Sequence, residues 1–292
     1  MEIIYSIIIP HKNIPRLLQR CLDSIPCREN IQVIVIDDNS SPDKVDFTHF
    51  PGMDRDNVEI IYTKEGKGAG YARNSGLKHV RGKWLLFADA DDFFLPDFSD
   101  SLDAYCNCDY DLITFRAESA DSDTLKPMIS RQENNSMIRE DMDLEILKYR
   151  NDVPWAKMIS VKFVQTYHIC FDETPAANDA MFAAYVDYYA VKVAACSKAI
   201  YCATVRADSL QYGVRLENLL ARVLVSCRYN RFLRDIGRDD KYVYSYSRVI
   251  ECRKHFGRKG YLKALWTYLR YECMGNIYND FVGLLKAKFH HV

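Results

Sequence analysis

Along the first hundred residues, unbroken apolar runs alternate with segments whose apolar positions recur at helical spacing. Tyr5 to Pro10 (YSIIIP) is a β-branched apolar run, which reads as a strand covered on both faces. Ile14 to Ile25 then places Leu17, Leu18, Cys21, Leu22 and Ile25 on one side of a helix. Ile31 to Ile36 (IQVIVI) is a second such strand, stopped by the turn-forming Asp37-Asp38-Asn39-Ser40-Ser41-Pro42. Val58 to Tyr62 is a third strand, and the glycine-rich Gly66 to Gly70 leads into a helix over roughly Tyr71 to Val80. Trp84 to Ala88 is a fourth strand, ending on the acidic run Asp89-Ala90-Asp91-Asp92. Strands alternating with helices at this spacing predict a mainly parallel, doubly wound α/β sheet.

The pattern then loosens. Asp111 to Arg116 predicts a strand, Glu118 to Asn135 an acidic surface loop, and Ile159 to Phe171 an extended segment enclosing a short helix. Asp179 to Ala195 reads as an apolar helix and Ala199 to Val205 as a strand. From about Val214 the pattern is helical, with aromatic and basic residues interleaved. The predicted organisation is a catalytic domain over 1–210, with halves 1–100 and 101–210, and a helical, basic region over 211–292.

Composition removes several possibilities. With 48% hydrophobic residues, the chain carries a sizeable core and is not disordered. It shows no span-length apolar stretch and no basic leader before the first strand, which predicts a cytoplasmic protein. The 10 cysteines are scattered without a CxxC pair, so buried thiols are expected rather than a zinc site. Net charge is −1 but uneven: Arg228 to Val292 holds 14 Lys/Arg against 6 Asp/Glu, a local +8, leaving −9 for the remainder. An acidic N-terminal portion argues against nucleic acid, while the basic end points to an anionic partner.

In an open parallel sheet, ligands bind beyond the carboxyl ends of the strands. Three polar clusters fall at such ends: Pro10-His11-Lys12-Asn13, Asp37-Asp38-Asn39, and Asp89 to Asp92. Several carboxylates at one strand end repel each other unless a cation offsets them, and hard ions such as Mg²⁺ or Mn²⁺ take carboxylate and phosphate oxygens. A solvated acidic turn is the alternative, and locally the two readings are about even. Asp37 and Asp38 suit a turn, and equally suit accepting the N3–H of uracil. The Gly66–Gly70 stretch lacks both a P-loop ending and GxGxxG spacing after the first strand.

The segments SIIIPHKN (6–13), VIVIDDNSS (33–41), GAGYARNSGL (68–77) and FADADDFF (87–94) together resemble the ordered motifs of family 2 glycosyltransferases of the GT-A fold, of the bacterial surface-polysaccharide type. The resemblance implies an inverting enzyme that uses a nucleotide-sugar, most often a UDP-sugar, with Mn²⁺ or Mg²⁺. It implies Asp89 and Ala90 against the ribose and diphosphate, Asp91 with Asp92 at the metal, and Asp38 or Asp37 at the base. Pro10, His11, Lys12, Gly68, Gly70, Arg73 and Asn74 would line the donor pocket. The family commonly carries an aromatic where this chain has Lys12, leaving His11 or the Lys12 stem to face the base.

An inverting transferase needs a base to take the acceptor's proton. The family places an aspartate ahead of a helix in its second half, and Asp179 in Asn178-Asp179-Ala180 matches, with Asp172 and Glu173 as fallbacks. An ordinary helix N-terminal Asp is the competing reading. Trp155 and Lys157 resemble an acceptor-side element, although a Trp is more often core. Arg206 and Ser209 resemble part of a loop over the donor. The implied acceptor is a glycan or lipid-linked glycan, as in capsule or lipopolysaccharide synthesis. The basic helices at Tyr261–Tyr271 and Phe281–His290 would either pack on the catalytic domain or meet an anionic membrane. A sugar nucleotidyltransferase, or a non-catalytic nucleotide-sugar module of the same fold, is the alternative.

Overall fold

The computed structural model describes residues 2–128, 138–139, 143–149, 153–206 and 214–289, without the side chains of 146, 147 and 283–289. The chain divides into two compact units: Met1–Glu173 with Phe182–Ala207, and Thr174–Met181 with Asp208–Val292. Ser209 lies outside the described residues, as does most of the acidic segment after 128.

In the first unit the described strands form one sheet of order β3-β2-β1-β4-β7-β6-β8-β5. They are β1 (Tyr5–His11), β2 (Ile31–Asp38), β3 (Val58–Thr63), β4 (Trp84–Phe87), β5 (Phe93–Phe94), β6 (Leu112–Asp121), β7 (Lys157–Ser160) and β8 (Val193–Val205). The four N-terminal strands β3, β2, β1 and β4 are mutually parallel, as the continuous apolar runs predict. Beyond β4 the sheet becomes mixed, because β7 runs antiparallel to both β4 and β6.

Helices α1 (Pro15–Asp23) and α2 (Ala69–Leu77) cover the strands. Pro15 opens α1 at a position where its missing N–H is not needed. On α2, Gly76 lets the helix approach closely, since a Cβ there would lie 2.7 Å from Ile36 Cδ1 and 2.9 Å from Ile8 Cγ2. The cores on the two faces are built around Ile7, Ile9, Val33 and Leu86 on one side, and Ile8, Ile34, Ile36 and Phe87 on the other. That is the period-two consequence of a strand buried on both faces.

Helices α3 (Phe98–Asp103), α4 (Leu144–Leu147), α5 (Val161–Thr166) and α6 (Ala180–Tyr189) follow. Two expectations shift. The loop expected from Glu118 begins as strand, since β6 runs to Asp121 against β8. The helix expected to reach Ala195 ends at Tyr189, and Val193 already pairs with Leu112. Both differences come from long-range β6–β8 pairing, which local periodicity does not report.

In the second unit α7 (Leu216–Asp235), α8 (Tyr246–Tyr271) and α9 (Met274–Phe289) pack around Leu219, Val223, Cys227, Val249, Cys252, Ala264 and Tyr268. No described helix is long and apolar enough to cross a membrane.

Candidate active site

The carboxyl ends of β1, β2 and β4 lie side by side, with His11 in register with Asp37. Asn13 and Asn39 adopt left-handed backbone (φ 59° and 57°), turning the chain sharply after each strand. The turns are laced together: Asn13 N–H donates to Ser40 Oγ at 2.8 Å, and Ser41 N–H donates to Asn13 Oδ1 at 2.7 Å.

The adjacent aspartates have different work. Asp37 faces inward, 2.8 Å from His11 Nδ1, and accepts from Ser40 N–H at 2.9 Å and Ser40 Oγ–H at 2.6 Å. Burial raises its carboxyl, but the bonds from His11 and Ser40 outweigh burial and hold it below the ordinary value. His11 Nε2 accepts the Ile14 N–H at 3.1 Å, which assigns the proton to Nδ1 and the bond direction toward Asp37. His11 is 2% exposed and meets Phe50 edge-on. It is a strut between two turns, and its ring has no face for a nucleotide base.

Asp38, 2% exposed, faces Lys12 and the start of α2. Its Oδ2 accepts from Gly68 N–H at 2.8 Å and lies 3.3 Å from Lys12 Nζ. Its Oδ1 is buried and has no hydrogen-bond partner among the described residues. Gly68 has φ +95°, a conformation side chains resist, and that conformation presents its amide to Asp38 at the start of α2. Pro10 sits at the end of β1 and Gly70 is buried in the first turn of α2.

Arg73 and Asn74 link α2 to the rest of the crevice. Arg73 Nη2 donates to Asp89 Oδ1 at 2.5 Å, and its guanidinium lies 5.2 Å over Phe171. Asn74 receives Phe171 N–H at 2.8 Å, donates to Phe171 O at 3.0 Å, and reaches Glu173 Oε1 at 3.4 Å. Its amide therefore fixes the chain at Phe171–Glu173 rather than standing open as a pocket wall.

The acidic run resolves into three roles. Asp89 remains partly exposed, ion-paired to Arg73. Asp91 is also partly exposed and lies 3.6 Å from Arg206. Burial, and then the neighbouring Asp89 charge, raise its carboxyl above the ordinary value, with Arg206 opposing. Asp92 is only 4% exposed. Its Oδ2 accepts from Tyr201 O–H at 2.8 Å and its Oδ1 from Thr204 N–H at 2.6 Å. Burial, reinforced by Asp91 and Asp89, pushes its carboxyl well up. The structure thus turns Asp92 inward as an anchor of the turn, with both oxygens committed, instead of offering it beside Asp91. Ala90 is buried between them.

Cations that the sequence left unassigned to this turn offset its charge. Arg20 of α1 donates to Asp91 O, to Ser122 O at 2.6 Å, and to Ser122 Oγ at 3.3 Å. Tyr201 O–H also accepts Asp89 N–H at 2.9 Å, so one hydroxyl ties both ends of the turn. Arg20, Tyr201 and Thr204 escaped sequence reasoning because they come from α1 and β8, far along the chain. Trp155, expected on the acceptor side, is 4% exposed and stacks on Tyr201 with centroids 5.1 Å apart. Lys157 is 3% exposed beside the buried Asp187, whose carboxyl burial holds above its ordinary value with the Lys157 charge opposing. Both residues therefore lie within the core rather than at a surface an acceptor touches. Asp179 immediately precedes α6 and is half-buried in the second unit.

The acidic turn is the candidate site for a divalent ion. Among the described residues no group of three or more His, Cys, Asp or Glu is positioned to hold one. Asp91 and Asp89 keep partly exposed carboxylates, and Mg²⁺ sites commonly use one or two carboxylates plus substrate phosphates. The residues fit an ion completed by a bound diphosphate, not an all-protein cage.

A parallel 3-2-1-4 sheet whose strand ends gather a buried carboxylate, one oxygen of it unpartnered among the described residues, and an Asp-x-Asp turn has the ligand crevice expected of an open α/β sheet. The family model for glycosyl transferase family 2 matches residues 6–167. The chain belongs to that family, and its fold is GT-A with a helical C-terminal region.

GlyA, a glycosyltransferase of Streptococcus pneumoniae, is 33% identical over 101 residues, which are 33% of this chain and 14% of GlyA. The poly(ribitol-phosphate) beta-glucosyltransferase of Bacillus spizizenii is 33% identical over 93 residues, 30% of this chain and 15% of that protein. The chain thus matches only a small part of each. Among solved structures, S. aureus TarS 1-349 in complex with UDP-GlcNAc superposes with TM-score 0.70 at 19% identity, covering 94% of this chain and 83% of that one. The mannosyltransferase PcManGT from Pyrobaculum calidifontis, in complex with GDP-Man and Mn2+, gives 0.53 at 14% identity, covering 98% and 81%.

Proposed function

We propose that the chain transfers a sugar, with inversion, from a UDP-sugar to a hydroxyl of a glycan or lipid-linked glycan acceptor in surface-polymer synthesis. The observation that carries the donor assignment is Asp38 Oδ1, buried in the crevice without a partner among the described residues. A buried carboxylate oxygen left unsatisfied is costly, and the N3–H of uracil is a donor of the right kind. The UDP-GlcNAc bound to TarS supports uracil, since that structure superposes more closely than the one holding GDP-Man. The names of relatives in poly(ribitol-phosphate) glucosylation and minor teichoic acid biosynthesis support a surface polymer.

Asp91, with Asp89 beside it, would hold Mn²⁺ or Mg²⁺ together with the donor diphosphate. When bound, the ion would supply positive charge to the departing UDP. Arg73 and Arg20 hold the turn that presents these carboxylates. Asp179 takes the proton from the acceptor hydroxyl as that oxygen bonds to C1 and the C1–O bond to UDP breaks.

The test is a donor-hydrolysis screen across UDP-, GDP- and CDP-sugars with and without Mn²⁺, paired with calorimetry on Asp38→Asn. UDP-sugars should be the hydrolysed class. Losing a charge-assisted bond should weaken UDP binding about tenfold to a hundredfold. Undiminished UDP binding by Asp38→Asn would overturn the base assignment.

A further inference from the structure

Helix α8 holds a surface that neither its packing nor the donor site accounts for. Gly257, with φ 60° and ψ −151°, breaks the helix, so residues 258–271 form a helical segment of their own. Gly260, Ala264 and Tyr268 are the buried positions of that segment, spaced every four residues along one face. Its packing against the unit is thereby satisfied. Leu262, Trp266 and Leu269 lie on the opposite face, 53%, 60% and 55% exposed. Three large apolar side chains in one exposed row on a helix mark a contact surface, not scattered surface residues.

The charges around this row point to its partner. Lys259, Lys263 and Arg270 flank it along one edge at helical spacing, and Arg258 lies at the other. Arg270 also stacks on Trp266, 4.9 Å from the ring centroid. From Cys252 to Tyr271 the chain has six Lys or Arg and no Asp or Glu. None of the four flanking cations pairs with a carboxylate among the described residues. Protein–protein interface cores are depleted in lysine. An amphipathic helix with Trp and Leu on its apolar stripe and Lys and Arg beside it matches a bilayer interface instead. On the following helix Met274, Tyr278 and Phe281 are 79%, 68% and 60% exposed.

We propose that the 258–271 segment of α8 is a docking surface for an anionic lipid bilayer. Its apolar row enters the headgroup boundary while the flanking cations meet acidic headgroups. Each cation near such a surface contributes about a fivefold factor to partitioning, so the surface should respond steeply to charge reversal and to salt.

The chain carries its own reporter. Of its three tryptophans, Trp84 and Trp155 are 1% and 4% exposed, whereas Trp266 is 60% exposed. The full chain should sediment with vesicles of phosphatidylcholine containing about one-third phosphatidylglycerol, and not with phosphatidylcholine alone. Its emission should shift to the blue on binding. Trp266→Phe should keep binding and lose the shift. Lys259→Glu/Lys263→Glu/Arg270→Glu, with an unchanged circular dichroism spectrum, should lose binding by more than about a hundredfold, the factor expected from removing the three cations alone.

Equal sedimentation of wild type and the triple variant would overturn the proposal, as would binding without any change in Trp266 emission. Absence of vesicle binding, with self-association abolished by Trp266→Ser, would assign the row to a second copy of the chain and equally overturn it. Donor hydrolysis measured without vesicles is independent of all these outcomes, so failure of this surface and failure of the donor reading remain distinguishable.

Discussion

Tyr201 is the residue on which the acidic turn is hung, and Tyr201→Phe isolates what that hydroxyl does. The substitution removes one oxygen, leaving the ring stacked on Trp155 and edge-on to Phe94 at 5.4 Å, so no cavity opens. Two bonds are lost: the O–H donated to Asp92 Oδ2 at 2.8 Å, and the acceptor for Asp89 N–H at 2.9 Å. Tyr201 and Asp92 are 0% and 4% exposed, so water cannot replace the hydroxyl without rearrangement. Losing one buried bond costs about 1 kcal/mol, and leaving the part-buried Asp89 N–H without its acceptor adds up to about 3 kcal/mol, giving about 1–4 kcal/mol in all. Urea unfolding should be followed by tryptophan fluorescence in a Trp266→Phe background, where Trp84 and Trp155 report on the first unit alone. The midpoint should fall with little change in slope. The donor KM should rise too, because Asp89 and Asp91 lose their fixed spacing. A destabilisation below about 0.5 kcal/mol would refute the claim that this hydroxyl anchors the turn, since that is the scale of an ordinary surface substitution.

Asp179→Asn should keep UDP affinity within about twofold while kcat falls a hundredfold or more, as loss of a general base requires; transfer at the wild-type rate would remove Asp179 from the mechanism. Asp91→Asn should abolish the dependence of UDP affinity on Mn²⁺ while leaving metal-free affinity little changed; calorimetry with and without EDTA decides, and a persisting Mn²⁺ effect would contradict the assignment. Asp37, whose folded carboxyl lies below its ordinary value of 3.8, contributes stability that is present above that value and lost as pH falls through the depressed one. The acid limb of the stability curve should therefore be flatter in Asp37→Asn; an unchanged slope below about pH 4 would show that the His11–Asp37–Ser40 cluster does not favour the ionised form.

The parallel half of the fold was legible because its strands are buried on both faces. Ile7 and Ile8 point to opposite cores and must both be apolar, so β1 writes a continuous run, and β2 and β4 do the same. The mixed half was less legible for the complementary reason. The 13-residue β8 is held by its register with β6, and its Val193–Ala195 start is apolar enough to pass for the end of a helix. Pairing, not composition, decides such a segment.

For the site, local motif position and side-chain direction must be kept apart. Asp37 and Asp38 are consecutive strand residues and so point to opposite faces, one into the His11–Ser40 cluster and one toward Gly68. Periodicity of two requires such a division but does not say which aspartate takes which side; His11, from the neighbouring strand end, fixes the side of Asp37. The same logic governs the acidic run, where leaving the strand breaks alternation and Asp92 turns inward to Tyr201 and Thr204. Charge repulsion alone therefore argued for a metal more strongly than the structure does. Arg73 of α2, Arg20 of α1 and Arg206 just past β8 already bring positive charge to the turn. What still argues for an ion is Asp91, whose longest partner distance, 3.6 Å to Arg206, leaves its carboxylate the least committed of the three.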